Sequence, residues 1–138
     1  MPHRQAAESA QFKATHRKLV IIESPFAGDS ALSIANNLRY ARLCVRDSIS
    51  RGESPIASHL LYTQDGILLD TIPEERQLGI ACGYAWMRAA DLIVFYTDLG
   101  WSTGMKMAKH IARENRYITE TRTITTSMTL LNPAPAKA

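Results

Sequence analysis

Residues able to bind or transform a small molecule gather in three short stretches, each of which follows an apolar run. The stretches read SPFAGD (24–29), SHLLYTQ (58–64) and DLGWSTGMK (98–106). The candidate ligand-binding residues in the first and third stretches are Ser24, Phe26, Gly28, Asp29, Gly100, Trp101, Ser102, Thr103, Gly104 and Lys106. The candidate catalytic residues are His59, Tyr62 and Asp98.

The third stretch has the composition of an anion-binding turn at the start of a helix. Gly100 and Gly104 allow the backbone to approach a ligand closely, and Ser102 and Thr103 fall where the helix is expected to begin. Free backbone N–H groups at that position attract anions. The same hydroxyl residues would equally serve as helix caps. The turn is neither a Walker A loop nor a GxGxxG fingerprint, so spacing alone leaves both interpretations open.

The other stretches offer an aromatic surface and acid–base groups. Phe26 can stack on a base or sugar, or pack at the sheet edge, and Asp29 can bind a ribose hydroxyl or cap a helix. His59 and Tyr62 are three residues apart and neighbours on a helix, where they can contact a ligand or exchange protons with it. Asp98 ends the clearest strand of the chain, a position that suits function better than stability.

The elements that must position these residues alternate between strands and helices. Apolar runs predict strands at 19–22, near 56–58 and at 92–96, with a last strand around Ile118. Helical periodicity predicts helices over 31–51 and 74–89 and another ending near 115. This order is typical of a single-domain parallel α/β sheet flanked by helices. Ligands bind such sheets beyond the carboxyl ends of the strands, where the three stretches lie.

The bulk composition indicates one globular domain of an ordinary cytoplasmic protein. The chain has 138 residues, 46% of them hydrophobic and 21% charged. We expect a flexible arm over 1–17, the domain over 18–124 and a flexible tail over 125–138. No run is long enough to cross a bilayer, and the N-terminus lacks the apolar core of a signal peptide.

Charge and cysteine content narrow the classes of partner. The net charge of +3 is concentrated towards both ends, without the basic, aromatic-interleaved stripe of a nucleic-acid-binding protein. Cys44 and Cys82 fit buried thiols and have no metal-like spacing. We therefore expect no metal, no cofactor, no membrane contact and no nucleic acid as main partner; the expected partner is a small molecule.

Taken together, the stretches resemble the nucleoside 2-deoxyribosyltransferase-like superfamily, and within it a small branch found in bacteria and their phages. The resemblance rests on SPFAGD, on NNLRYARLCVRDSISRGESPIASHLLYTQ and on PEERQLGIACGYAWMRAADLIVFYTDLGWSTGM, and covers about residues 18–122. It implies a roughly five-stranded parallel sheet in a three-layer, Rossmann-like fold. It also implies a nucleoside or nucleotide ligand, cleavage or transfer at an N-glycosidic bond, and a homodimer or larger assembly.

One departure from the superfamily pattern bears on catalysis. The superfamily uses a glutamate nucleophile on the helix after the Ser/Gly loop, and this place falls on Ala108. The resemblance matches Ser102 and Gly104 to the sugar- or phosphate-holding loop, and Asp98 to an acidic strand-end position. Three hypotheses follow: an N-glycosidase or transferase using another carboxylate, with Asp98 the best candidate; a catalytically inactive nucleotide-binding protein; or a non-catalytic interaction protein.

Overall fold

Four parallel strands form the sheet in the part of the chain that the structure, a computed structural model, describes, residues 16–124. The strands are β1 (Leu19–Glu23), β2 (Ser54–Ile56), β3 (Leu92–Tyr96) and β4 (Thr119–Arg122), in the spatial order β2-β1-β3-β4. Pairing is parallel throughout, with Val20 opposite both Pro55 and Leu92. The expected parallel α/β sheet is confirmed, but the number of strands is four rather than about five, because residues 18–122 contain only four strand-forming runs.

Helices connect the strands, and two of the four described helices begin with a side-chain cap. Helix α1 (Ala31–Ser50) starts with a capping box, in which Ser30 and Ser33 each accept a hydrogen bond from the other's backbone N–H. A four-residue helix, α2 (Ser58–Leu61), follows β2 directly. Helix α3 (Pro73–Met87) has proline in its first turn, and α4 (Thr103–Glu114) is capped by Ser102. The strand expected near 56–58 lies earlier, because Ser58 already belongs to α2.

The core has two layers, one on each face of the sheet. On one face, Val20, Ile22, Val94 and Tyr96 pack with residues of α1 such as Tyr40. On the other face, the alternate strand residues pack with α3 and α4; this layer consists of Ile21, Met87, Ile93, Phe95, Met105, Ala108 and Ala112. Because successive strand side chains point to opposite faces, Glu23 falls on the same face as Ile21, beside α3 and α4.

The order of the strands creates a crevice between β1 and β3. The chain leaves β1 towards β2 on one side and leaves β3 towards β4 on the other, so the two neighbouring strands continue in opposite directions. Such a topological switch point is where open α/β sheets bind ligands. None of the helices described within residues 16–124 combines the length and apolarity needed to cross a bilayer. The predicted tail and all but the last two residues of the predicted arm lie outside the described residues.

Candidate functional site

A cavity of about 430 Å³ lies at the switch point, at the carboxyl ends of β1 and β3. Its walls come from the turn after β1, from α2 and the loop that follows, from α3, and from the first turn of α4. Seven of the residues singled out in the sequence line it: Ser24, Phe26, His59, Tyr62, Ser102, Thr103 and Gly104. The fold therefore brings parts of all three stretches together around one concave space, as a small-molecule site requires.

Glu23, the last residue of β1, supplies a carboxyl group to this cavity. Burial raises its pKa to about 8. Within residues 16–124 no hydrogen bond or ion pair offsets the burial of this side chain. Tyr84 of α3 lines the same cavity, and its pKa is raised by burial and then by the nearby Glu23. Glu23 is therefore a neutral carboxylic acid at neutral pH, able both to donate and to accept a hydrogen bond.

His59 and Ser24 form a buried polar pair in the cavity wall. Ser24 Oγ and His59 Nε2 share a hydrogen bond at 2.8 Å. Burial lowers the pKa of His59 to about 4, so its imidazole is neutral at physiological pH. The ring of Phe26 meets the imidazole edge to face, with 6.3 Å between ring centroids. Together the three side chains form a rigid, uncharged part of the wall.

Tyr62, at the start of the loop after α2, lines the cavity and also contacts α3. Tyr62 follows α2 directly and lines the cavity, as His59 does. The hydroxyl of Tyr62 accepts a hydrogen bond from Trp86 Nε1 at 2.8 Å, which joins this loop to α3. The predicted proximity of His59 and Tyr62 is thus found in the cavity wall, while their catalytic role stays a prediction.

Three charged residues in the wall did not stand out in the sequence. The carboxylate of Asp70 pairs with Arg76, with 3.3 Å between Oδ2 and Nη1. Glu75 Oε1 accepts a hydrogen bond from the backbone N–H of Leu69 at 2.9 Å. All three line the cavity, although the PEER segment that contains two of them looked like a solvated helix start. Only the fold of the loop before α3 and of the first turn of α3 brings them to the partly exposed rim of the cavity.

The first turn of α4 forms another part of the cavity wall. Ser102 Oγ accepts a hydrogen bond from the backbone N–H of Met105 at 3.1 Å, which is the geometry of a helix cap. Thr103 and Gly104 also line the cavity, with Met105 behind them. The structure therefore confirms the helix cap by Ser102 and places the start of the helix in the cavity wall, while anion binding by this turn stays a prediction.

Asp98 lies outside the cavity wall and has a structural role. Tyr40 Oη donates to Asp98 Oδ1 at 2.6 Å, and the backbone N–H of Ile124 lies 3.0 Å from both carboxylate oxygens. The backbone N–H of Asp98 donates back to Tyr40 Oη at 2.9 Å. These bonds tie the end of β3 to α1 and to the residues after β4, on the face of the sheet opposite Glu23. The expectation that Asp98 is the reactive carboxylate is not supported by this geometry.

The remaining predicted ligand-binding residues also lie outside the wall. Gly28 is required because a Cβ there would lie 2.1 Å from Ser33 Oγ, and Asp29 accepts a hydrogen bond from the same hydroxyl. Gly100 has a positive φ of 86°, which the turn after β3 needs. Trp101 stacks on the Phe95 ring, with 5.1 Å between centroids. Lys106 is exposed on α4. These residues shape the turns that carry the site.

Sequence reasoning missed Glu23, although the sequence contains a signal for it. The residue directly follows four aliphatic residues, so it extends a strand that is buried on both faces. A carboxyl group at the end of such a strand is either paired or functional. The helix position matched to the superfamily's nucleophile holds Ala108 instead, which is buried against the sheet.

The potential metal-binding side chains of residues 16–124 do not suggest a metal centre. Within residues 16–124 no group of three or more His, Cys, Asp or Glu side chains is arranged to hold a metal ion. Cys44 is buried and Cys82 is half-buried, and both are free thiols. Burial is also the main reason that the pKa of Cys44 is raised, which makes its thiol unreactive.

The described residues form an α/β domain with a cavity at its switch point. The chain belongs to the family described as a domain of unknown function (DUF7768), whose model matches residues 18–122. The match covers all four strands and all the residues that line the cavity. Neither the curated proteins nor the solved structures compared with this chain include a match.

Proposed function

We propose that this protein binds a nucleoside or nucleotide in the cavity and cleaves or transfers at its N-glycosidic bond. The observation that carries the proposal is Glu23, a carboxylic acid held neutral inside a cavity of about 430 Å³ at the switch point of the sheet. Glycosidic bonds break when an acid protonates the leaving group while the sugar carbon takes on positive charge. A raised carboxyl pKa is the property such an acid needs near neutral pH.

In the proposed hydrolysis, Glu23 donates its proton to the base as the bond between the base nitrogen and the anomeric carbon breaks. Water then forms the new bond to the anomeric carbon, and the proton it loses restores Glu23. The products are the free base and the sugar with an anomeric hydroxyl. In a transfer reaction a second base takes the place of water, and the chemistry is otherwise the same.

Other wall residues would bind the parts of the ligand. Phe26 and Tyr84 offer aromatic surfaces to a base. Free backbone N–H groups at the start of α4, with the hydroxyl of Thr103, would bind oxygens of the sugar or of an attached phosphate. The neutral pair of Ser24 and His59 would hydrogen-bond the ligand without adding charge. These assignments follow the resemblance to the deoxyribosyltransferase superfamily and the composition of the wall.

The test is base release from a panel of nucleosides and nucleotides, measured by chromatography. We expect Glu23→Gln to reduce release at least a hundredfold, since general acid catalysis is typically worth about 10²–10⁴ in rate. Glu74→Gln is the matched control, because Glu74 is exposed in the first turn of α3 and does not line the cavity. Unchanged release by Glu23→Gln would remove Glu23 from the mechanism.

The pH profile separates two roles for Glu23. If Glu23 acts as the acid, activity falls as the pH rises through about 8, because its proton is lost. If Glu23 instead attacks the anomeric carbon, activity rises over the same range, because a nucleophile must be ionised. The same measurement on Glu74→Gln should give the profile of the unsubstituted chain.

A second candidate function is nucleotide binding without turnover. It is favoured by Ala108, which is 1% exposed and packs against the sheet where the superfamily's helix carries its nucleophile. Ligand-dependent thermal stabilisation without base release would identify a binding protein. If no nucleoside or nucleotide raises the melting temperature, both functions fail and a non-catalytic interaction protein becomes the better hypothesis.

The same resemblance leads us to propose a Rossmann-like, deoxyribosyltransferase-type fold in a cytoplasmic homodimer or larger assembly. The exposed apolar residues of α3 support self-association: Leu78 is 56% exposed and Trp86 is 43% exposed. Large apolar side chains on one exposed helix are common at protein interfaces. Sedimentation equilibrium of the full chain and of Leu78→Glu tests this part of the proposal.

A further inference from the structure

The charge of the cavity wall bears on whether the ligand carries a phosphate. Among the residues that line the cavity, three have carboxyl groups, Glu23, Asp70 and Glu75, and one has a guanidinium group, Arg76. Lysine is not among them. A site for a phosphate dianion normally presents an excess of positive charge, most often as arginine or lysine. This wall has the opposite balance.

The single guanidinium of the wall is already engaged. Arg76 pairs with Asp70 at 3.3 Å, and this pair places a negative charge beside the positive one. The lysines of α4 are directed elsewhere: Lys109 Nζ donates to Thr119 Oγ1 at 3.1 Å and lies over the Phe95 ring, and Lys106 is exposed outside the wall. A bound phosphate would have to share Arg76 with Asp70, whose negative charge weakens the attraction.

The start of α4 does not reverse this balance. A helix N-terminus acts as about half a positive charge. Ser102 already accepts the hydrogen bond of one free N–H, that of Met105. Against this stand the carboxylates of Asp70 and Glu75, and because Arg76 offsets only one of them, a full negative charge remains in the same wall. The first turn of α4 is therefore better suited to the neutral oxygen of a sugar hydroxyl than to a dianion.

We infer that Asp70 and Glu75 are specificity-determining residues, which make the cavity select uncharged nucleosides over their 5′-phosphates. The inference rests on the proposed function and narrows it, because the wall recognises a sugar-linked base but repels a phosphate on that sugar. Of the two residues, Asp70 has the larger influence, since it lies beside Arg76 and offsets the only guanidinium charge of the wall.

The experiment measures dissociation constants for matched pairs, a nucleoside and its 5′-monophosphate, by calorimetry on the full chain. We expect the nucleoside to bind at least tenfold more tightly. Asp70→Asn should improve 5′-monophosphate binding on the order of tenfold and leave nucleoside binding nearly unchanged, because it removes one charge and releases Arg76. Raising the salt concentration should strengthen monophosphate binding to the unsubstituted chain, since it screens the repulsion.

Two controls keep the outcomes distinct. Glu74→Gln removes the same charge from the neighbouring surface and should leave both constants unchanged. Asp70→Asn combined with Arg76→Gln should lose the gain in monophosphate binding. Tighter binding of the monophosphate by the unsubstituted chain, or an unchanged preference in Asp70→Asn, overturns the inference and leaves the proposed function standing. Absence of binding for every nucleoside and monophosphate overturns both.

Discussion

The two faces of the sheet differ in whether a polar side chain beside the core has a hydrogen-bond partner. On the α1 face, the two buried tyrosine hydroxyls have carboxylate partners: Tyr40 bonds to Asp98, and Tyr96 donates to Asp47 at 2.7 Å. On the α3/α4 face, Glu23 lies at the cavity without a protein partner within residues 16–124. Buried polar groups normally find partners, so the exception points to a ligand.

The centre of the α1 face is an ion pair between Arg122 at the end of β4 and Glu53 before β2. Arg122 Nη2 and Glu53 Oε2 are 2.6 Å apart, and the two side chains are 6% and 11% exposed. Ser48 also donates to Glu53, and Glu120 bonds to Arg122. The hydrogen bonds from Arg122 hold the pKa of Glu53 below its ordinary range. The network links α1 with the two edge strands, which the sheet itself does not connect.

The largest expected effect concerns Glu23 and the pH dependence of stability. Its pKa is about 8 in the folded chain and 4.5 ordinarily, so the unfolded chain ionises first as pH rises. The free energy of unfolding therefore decreases as the pH rises from 4.5 to 8, and Glu23→Gln should not show this decrease. One pKa unit corresponds to about 1.4 kcal/mol, so the variant should be more stable by up to about 5 kcal/mol above pH 8 and equal at pH 4.

Urea denaturation of both chains across this pH range checks the Glu23 prediction. The other titratable groups of the cavity wall are the same in both chains; they are His59, Tyr62, Asp70, Glu75, Arg76 and Tyr84. Their contributions cancel in the difference between the two chains. If the difference in free energy of unfolding between the two chains stays constant from pH 4 to 9, Glu23 titrates normally. Glu23 would then no longer distinguish the two faces of the sheet.

The next largest effect should come from breaking the ion pair of the α1 face. Arg122→Met leaves Glu53 buried without its cationic partner, which costs about 3–5 kcal/mol in other proteins. The measurement is the free energy of unfolding in urea at pH 7. Adding Glu53→Gln to Arg122→Met should recover part of the loss, because the buried charge is then gone. A loss below about 1 kcal/mol would mean that this network contributes little.

His59 should show the opposite pH dependence from Glu23. Its folded pKa of about 4 lies below the ordinary 6.5, so the unfolded chain takes up the proton first as pH falls. The stability that neutral His59 supports is present above pH 6.5 and is lost as pH falls towards 4, by about 3 kcal/mol. His59→Gln should remove this slope. Denaturation at pH 4 and pH 7 tests the difference, and parallel slopes for the two chains would contradict it.

The sequence predicted the parts of the fold that depend on local pattern. The run LIVFY gives β3 with its observed ends, and the helices predicted to begin at residues 31 and 74 begin at Ala31 and Pro73. The position of β2 was predicted less well, because SPIAS contains few β-branched residues and its pairing with β1 decides the register. Local pattern identifies an element, while the register of a short edge strand depends on its neighbour.

The candidate site could be predicted only in part. The three polar stretches follow strand ends, so their meeting at one edge of the sheet follows from topology. The sequence does not show which strand-end carboxylate is paired. Asp98 and Glu23 look alike along the chain, but only Asp98 meets a tyrosine hydroxyl and a backbone N–H across the fold. These partners are 58 and 26 residues away along the chain. Hydrophobic periodicity and motif spacing describe local sequence, so they cannot identify such contacts.

The smallest expected effect compares two tyrosines, one from each face of the sheet. Tyr40 Oη both donates to and accepts from Asp98, so Tyr40→Phe leaves a part-buried carboxylate and a backbone N–H with one partner fewer. This should cost about 1–2 kcal/mol of stability. Tyr84→Phe removes a hydroxyl that faces the cavity, and should change stability by less than about 0.5 kcal/mol while weakening nucleoside binding. Urea denaturation and calorimetry on both variants test the pair. Equal losses of stability would mean that the cavity face is held together by its polar groups as much as the α1 face is.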